Sequence, residues 1–215
     1  IAPHGKVTGL DISEPMLKKA KESAEEKSLT NVFFNCVDIQ TDNLGEEVYT
    51  AAYSRFGVMF FEDSVVAFRN INKSLIPGAS LSFVCWQSPA LNPWQSLFIE
   101  AVKKYVDLPS PPPRSPSPFA FMESEYISSI LEESNFQNIM IEGHEAEVNM
   151  FSGRSLSDSV KDYISINPVV SGMLKDSTEQ EKTEIINSAI EAFSPYYSAK
   201  GLMFPSATWL VTTTK

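Results

Sequence analysis

Cysteine and histidine are nearly missing from this chain, with two of each among 215 residues. Cys36 and Cys85 each sit inside an apolar, strand-like run, so both read as buried reduced thiols; a disulfide-built fold is excluded and a cytoplasmic protein implied. His4 and His144 lie far apart, no Cys/His spacing suits a metal, and both histidines read as surface residues. No Gly-x-Ser-x-Gly string and no partnered Cys and His occur, which excludes hydrolysis by an activated nucleophile. Glycine is scattered: the nine residues approach no closer than Gly5 and Gly9, so no glycine-rich phosphate cradle lies within the sequence. Cations are outnumbered, 17 Lys and Arg against 27 Asp and Glu, and a net charge of −10 does not make a nucleic-acid surface. No apolar run approaches the roughly 18 residues that would span a bilayer, and the first residues lack the basic and apolar regions of a signal peptide.

What is present is an ordinary globular composition, 43% hydrophobic and 20% charged, at a length that suits one large domain. The sequence Lys6-Val7-Thr8-Gly9-Leu10-Asp11-Ile12-Ser13 reads as a short strand that ends on a carboxylate and turns into a helix. Ser13 is a natural N-cap and Pro15 fits the first turn. That helix runs to about Ser28, with Met16, Leu17, Ala20 and Ala24 on its apolar stripe. Residues 31–37 form a continuous apolar run, as for a strand buried on both faces, and again end on a carboxylate, Asp38. A third strand over 48–54 leads into the apolar segment Arg55 to Phe61. A helix from about Asp63 then carries Phe68, Ile71 and Leu75, and Pro77-Gly78 turns the chain into a strand over 81–86. This alternation predicts a parallel sheet covered by helices.

Further on, Asn92-Pro93-Trp94 opens a helix to about Val106, and residues 109–118 are too proline-rich for anything but an extended loop. Phe119, Phe121 and Met122 directly after it suggest a segment that packs over something rather than one that floats. A helix over 123–134, a strand over 138–148 with a polar second half, amphipathic segments marked by Leu156, Val160, Tyr163, Ile164 and by Ile185, Ile186, Ala189, Ile190, Phe193, and a β-prone run over 207–213 complete the chain.

Asp11 and Asp38 are the candidate binding groups. Each taken alone is a common turn residue, because Asp accepts hydrogen bonds from free backbone N–H groups. Strand C-termini of a parallel sheet share one edge, however, so the two acids, 27 residues apart around a single helix, would border one crevice with the loop at Ser54 to Phe56. One acid suits a ribose diol and the other an adenine amino group. Met59, Trp86 and Trp94 are candidates to line an acceptor pocket, with core packing as the alternative.

Three strings, Ser54 to Asp63 (SRFGVMFFED), Leu75-Ile76-Pro77-Gly78-Ala79 and Phe83-Val84-Cys85-Trp86, resemble the small-molecule, ubiquinone- and menaquinone-biosynthesis-like branch of class I S-adenosylmethionine-dependent methyltransferases. Pro205-Ser206-Ala207-Thr208-Trp209-Leu210-Val211 resembles that branch's last strand. The resemblance implies a Rossmann-like α/β fold: a seven-stranded, mostly parallel sheet with helices on both faces, an antiparallel last strand and a helical insertion over the open edge. It implies S-adenosyl-L-methionine as cofactor, with Asp11 at the ribose, Ile12 and Met16 at the adenine, Asp38 and Ile39 at the adenine edge, and Ser54, Arg55 and Phe56 beside the methionine half. It further implies methyl transfer to a small-molecule acceptor, within one domain: 1–90 as the cofactor side, 91–135 and 152–200 over the acceptor site, 136–150 and 203–215 as closing strands. A dry, apolar surround favours a reaction in which a sulfonium loses its charge.

The branch begins with a strand and a glycine-rich loop that these residues do not contain, and Ile1-Ala2-Pro3-His4-Gly5 reads as the tail of the helix that follows that loop. The expectation is therefore a fragment, or a chain that has lost the central strand, with weak or absent cofactor binding. Two rival readings remain: a nicotinamide-dependent oxidoreductase, whose ribose also suits a strand-terminal acid, and a truncated, non-catalytic methyltransferase-like module.

Overall fold

The computed structural model describes residues 5–105, 112–175 and 177–215. The reading of His4, and of Pro109 and Pro111 in the proline-rich loop, lies outside them. Strands β1 (Val7–Asp11) and β2 (Val32–Cys36) flank helix α1 (Glu14–Glu26) and pair in parallel, Asp11 opposite Cys36. The strand-to-helix turn forms because side chains take its backbone donors. Asp11 Oδ1 accepts from Ser13 N at 2.8 Å, and Ser13 Oγ accepts from Met16 N at 3.4 Å. α1 buries Leu17 and Ala24 but leaves Met16 64% exposed.

β2 departs from expectation. It is the outer strand of a two-stranded sheet, its Phe33 is 49% exposed, and Cys36 is exposed rather than buried. An apolar run is buried on both faces only where elements cover both, and α1 is the helix that packs on this pair.

β3 (Tyr49–Arg55), α2 (Ser64–Ser74) and β4 (Leu75–Trp86) follow. Asp63 caps α2, its Oδ1 accepting from Val66 N at 3.0 Å. Pro77-Gly78 does not separate helix from strand. β4 starts directly at Leu75, and the pair forms a bulge inside it, where the register with β3 jumps from Tyr49 opposite Leu75 to Ala51 opposite Ser80. Gly78 tolerates its φ of +78° there, and its N–H donates to Lys215 O at 3.1 Å.

The remaining elements are α3 (Pro93–Val102), α4 (Ser124–Glu133), β5 (Gln137–Met150), α5 (Leu156–Ile166), α6 (Pro168–Lys175), α7 (Glu179–Phe193), β6 (Tyr197–Ser198) and β7 (Gly201–Thr214). α6 has no counterpart in the sequence reading, and β7 begins well before the β-prone run and carries Pro205 within it. The second sheet has the order β3-β4-β7-β5 with β6 beside β7. β3 and β4 are parallel, whereas β7 runs antiparallel to β4 and β5, so the last strand has the implied direction. The seven strands do not form one continuous sheet. Among the described residues β1 pairs only with β2 and β3 only with β4, and no strand bridges the two sheets.

Side-chain alternation along β7 builds a core on each face. Val211 faces a core of Phe68 from α2, Phe83 from β4, Phe121 and Ile127 and Leu131 from α4. Leu202 and Phe204 point the other way, into Phe98 of α3, Tyr163 of α5, and Ile185 and Phe193 of α7. Burial pushes the Tyr163 phenol above its ordinary range, and its hydroxyl donates to Gln95 Oε1 at 2.7 Å. Asn92 joins the α3 layer to the sheet. It is fully buried; its Nδ2 donates to Ala207 O at 3.0 Å and to Ser88 O at 3.1 Å, and its Oδ1 accepts from Ala207 N at 3.1 Å. No helix of the described residues is long and apolar enough to cross a membrane.

Candidate active site

The parallel register of β1 and β2 brings the two predicted acids to one edge. Asp11 ends β1 opposite Cys36, and Asp38 follows two residues later, where Val37 N still donates to Asp11 O at 3.0 Å. Each carboxylate is half-buried and uses Oδ1 on a nearby backbone donor, Asp11 on Ser13 N and Asp38 on Gln40 N, both at 2.8 Å. The second oxygen of each has no partner among the described residues. Ile12 is 70% exposed beside Asp11, and Met16 stands one turn further on. Two exposed apolar side chains next to an available carboxylate oxygen suit a flat base joined to a diol.

The sequence missed what holds Asp38 in place. Asn70 of α2 donates to Ile39 O at 2.7 Å and to Asp42 O at 2.8 Å, while Gln40 Oε1 accepts from Asp63 N at 2.8 Å. Through these bonds the loop after β2 rides on α2, and Ile39 packs against the first core. An Asn in a helix four residues before its end gives no local sign of such a role.

Ser54, Arg55 and Phe56 lie at the C-terminal end of β3, but on the other sheet. Ser54 is half-buried there. Phe56 has φ +59°, a strained conformation for a bulky residue, and its ring stacks on Trp86 at 4.1 Å and 12° between planes. Its N–H donates to Val84 O at 3.0 Å, which holds the strained turn against β4. Strain of this kind persists only where the surroundings overdetermine it, and it clusters at binding sites.

Beside this stack is a cavity of about 610 Å³. Directly paired residues of neighbouring strands share a face, and the register carries one face across four strands: Arg55 with Val84, Trp86 with Thr208, Thr208 with His144, Ser206 with Ala146. All of these line the cavity. Ser206 is 5% exposed, and its Oγ has no hydrogen-bond partner. His144, read from the sequence as a plain surface residue, is exposed but borders the cavity; only pairing with Thr208 reveals that.

Of the three predicted acceptor residues, Trp86 lines the cavity and two do not. Met59 is 1% exposed inside the first core, and Trp94 is 7% exposed in the second, stacked on Phe119 at 5.5 Å. Large apolar side chains at helical turns found the core instead. Phe121 is likewise buried in the first core, where Met122 O accepts from Trp209 Nε1 at 3.0 Å, while Phe119 packs against the second core, so the segment after the proline-rich loop joins the two cores and does not line this cavity. No group of three or more His, Cys, Asp or Glu side chains able to hold a metal ion comes together among the described residues.

Residues 1–83 match the family described as "Methyltransferase domain". The solved structure of the YcgJ protein of Bacillus subtilis superposes with a TM-score of 0.57 at 13% identity, over 98% of this chain and 82% of that one. The fold is that of a class I methyltransferase. Phosphoethanolamine N-methyltransferase 2 of Haemonchus contortus, solved in complex with S-adenosyl-L-methionine, shares this methyltransferase fold with a TM-score of 0.53 at 15% identity, over 98% of this chain and 43% of that one. The demethylmenaquinone methyltransferase of Listeria welshimeri is 31% identical over 109 residues, 49% of this chain and 44% of the relative. The chain thus spans less than half the length of that relative.

Proposed function

We infer that the protein transfers a methyl group from S-adenosyl-L-methionine to a small-molecule acceptor. The observation that carries this reading is the meeting of Asp11 and Asp38 at one sheet edge, in the part of the chain that matches the methyltransferase domain. When bound, the cofactor supplies an electrophilic methyl group on a sulfonium. Asp11 would hold the ribose hydroxyls with its free oxygen, Ile12 and Met16 would cover the adenine, and Asp38 and Ile39 would meet its edge. Ser54, Arg55 and Phe56 would bound the methionine half, and Trp86 the acceptor. Alignment in an apolar surround is the contribution these residues make. Residues 1–90 then serve the cofactor and the segments 91–135 and 152–200 the acceptor. Two cysteines without a disulfide support a cytoplasmic setting.

Because the two acids reach only the nucleotide half, binding is expected in the millimolar range. An NMR titration with S-adenosyl-L-methionine is expected to shift the amides of residues 11–16 and 38–40, and Asp11→Ala to remove the first set. Shifts confined to other regions would overturn the assignment, and an equal response to NAD would favour the oxidoreductase reading.

A further inference from the structure

The cavity on the sheet face holds three polar side chains without protein partners among the described residues, in a wall otherwise made of apolar side chains and Thr208, whose hydroxyl is already used on His144 O. Among the described residues Arg55 makes no ion pair, in a chain where acids outnumber cations by 27 to 17. The His144 imidazole makes no hydrogen bond there, since the bond at this residue goes to its backbone carbonyl, which accepts from Thr208 Oγ1 at 3.3 Å. The Ser206 hydroxyl is buried and unsatisfied, a costly state for a polar group unless a guest or water completes it. The strand register places all three on one face: His144 and Thr208 are direct partners, Ser206 pairs with Ala146 two residues along, and Arg55 reaches the same face through Val84. Glu142 stands on that face too, but outside the cavity lining. The Phe56–Trp86 stack, held by a strained backbone, completes the lining beside Thr208.

We propose that this cavity binds a flat, mostly apolar molecule through one anionic oxygen, a carboxylate or an ionised hydroxyl, seated among Arg55, His144 and Ser206, with its ring system against Phe56 and Trp86. The identification of that molecule with the methyl acceptor rests on the methyl-transfer reading above; the binding itself does not. Arg55 supplies the charge, while His144 and Ser206 supply directional donors. A charge-assisted hydrogen bond is roughly twice as strong as a neutral one, so charge on the guest dominates the selectivity.

The test uses two probes of the same shape, 2-naphthoate and the neutral 2-naphthamide, titrated into the 215-residue chain by NMR. Amide shifts are expected at residues 55–56, 84–86, 144–148 and 206–208, with the naphthoate bound about ten-fold tighter than the amide. Arg55→Met, at an exposed position that spares the core, is expected to abolish that preference while the amide still binds; Ser206→Ala weakens the naphthoate by a smaller factor. Equal binding of the two probes to the wild-type chain, a preference that survives Arg55→Met, or shifts confined to another surface would each overturn the proposal. Failure here with S-adenosyl-L-methionine still shifting residues 11–16 leaves the methyl-transfer reading standing, and the converse result leaves the cavity standing.

Discussion

The β1–α1–β2 unit and the β3-β4-β7-β5 sheet are built from similar alternating segments, yet they bury their side chains very differently. In the first, every residue of β1 is half-buried, Phe33 and Cys36 of β2 face outward, and α1 buries only two side chains. In the second, Phe68, Phe83, Phe98, Phe193 and Phe204 are almost wholly enclosed and the sheet has a core on each face. The pair of acids thus sits on the thinly packed unit, and the cavity sits on the well-packed one. Hydrogen-bonded register positions Asp11 and Asp38 without much burial, and local unfolding free energy follows burial.

The largest blow to this contrast is Phe68→Ala, which removes a ring in contact with Phe61, Phe83, Phe121 and Phe136. It is expected to cost about 4 kcal/mol in urea unfolding. Asn92→Ala comes next, at about 2.5 kcal/mol, because the Ala207 N–H and several carbonyls lose their buried partner. Leu17→Ala sharpens the comparison: about 2 kcal/mol is expected, felt as faster hydrogen exchange in β1 and β2 with β4 and β7 amides unchanged. Uniform acceleration throughout would show that the two regions unfold together.

At Phe56, glycine is expected to be more stable than alanine by about 1 kcal/mol, since both lose the stack on Trp86 but only glycine accepts φ +59° without strain. Thermal denaturation of the two variants reads this directly. The smallest perturbation is chemical. Iodoacetamide at pH 8 is expected to label Cys36 in the native protein and Cys85 only after unfolding. Burial pushes the Cys85 thiol from 9.0 up to about 12. Its contribution to stability is therefore complete below pH 9 and is lost as pH rises towards 12.

Local chemistry was readable wherever a side chain acts on its own backbone. Ser13 caps the helix it was expected to cap, and the strand-ending positions of Asp11 and Asp38 follow from short-range pattern. The Pro77-Gly78 bulge was misread as a turn, because its partner is Lys215, far along the chain. Cys36 was misread as buried, because an apolar run does not say whether a second layer covers it.

The amino-acid order therefore decided which segments turn, cap and pair, since those choices are settled by neighbours within a few residues. Only the tertiary structure decided that Met59 and Trp94 are core while His144 and Ser206 border a cavity. The placing of His144 and Ser206 depends on cross-strand register between β5 and β7, where a shift of one residue would exchange the two faces. It also decided that Asp38 is carried by Asn70 and Gln40, bonds across 23 and 31 residues of chain that no local pattern records.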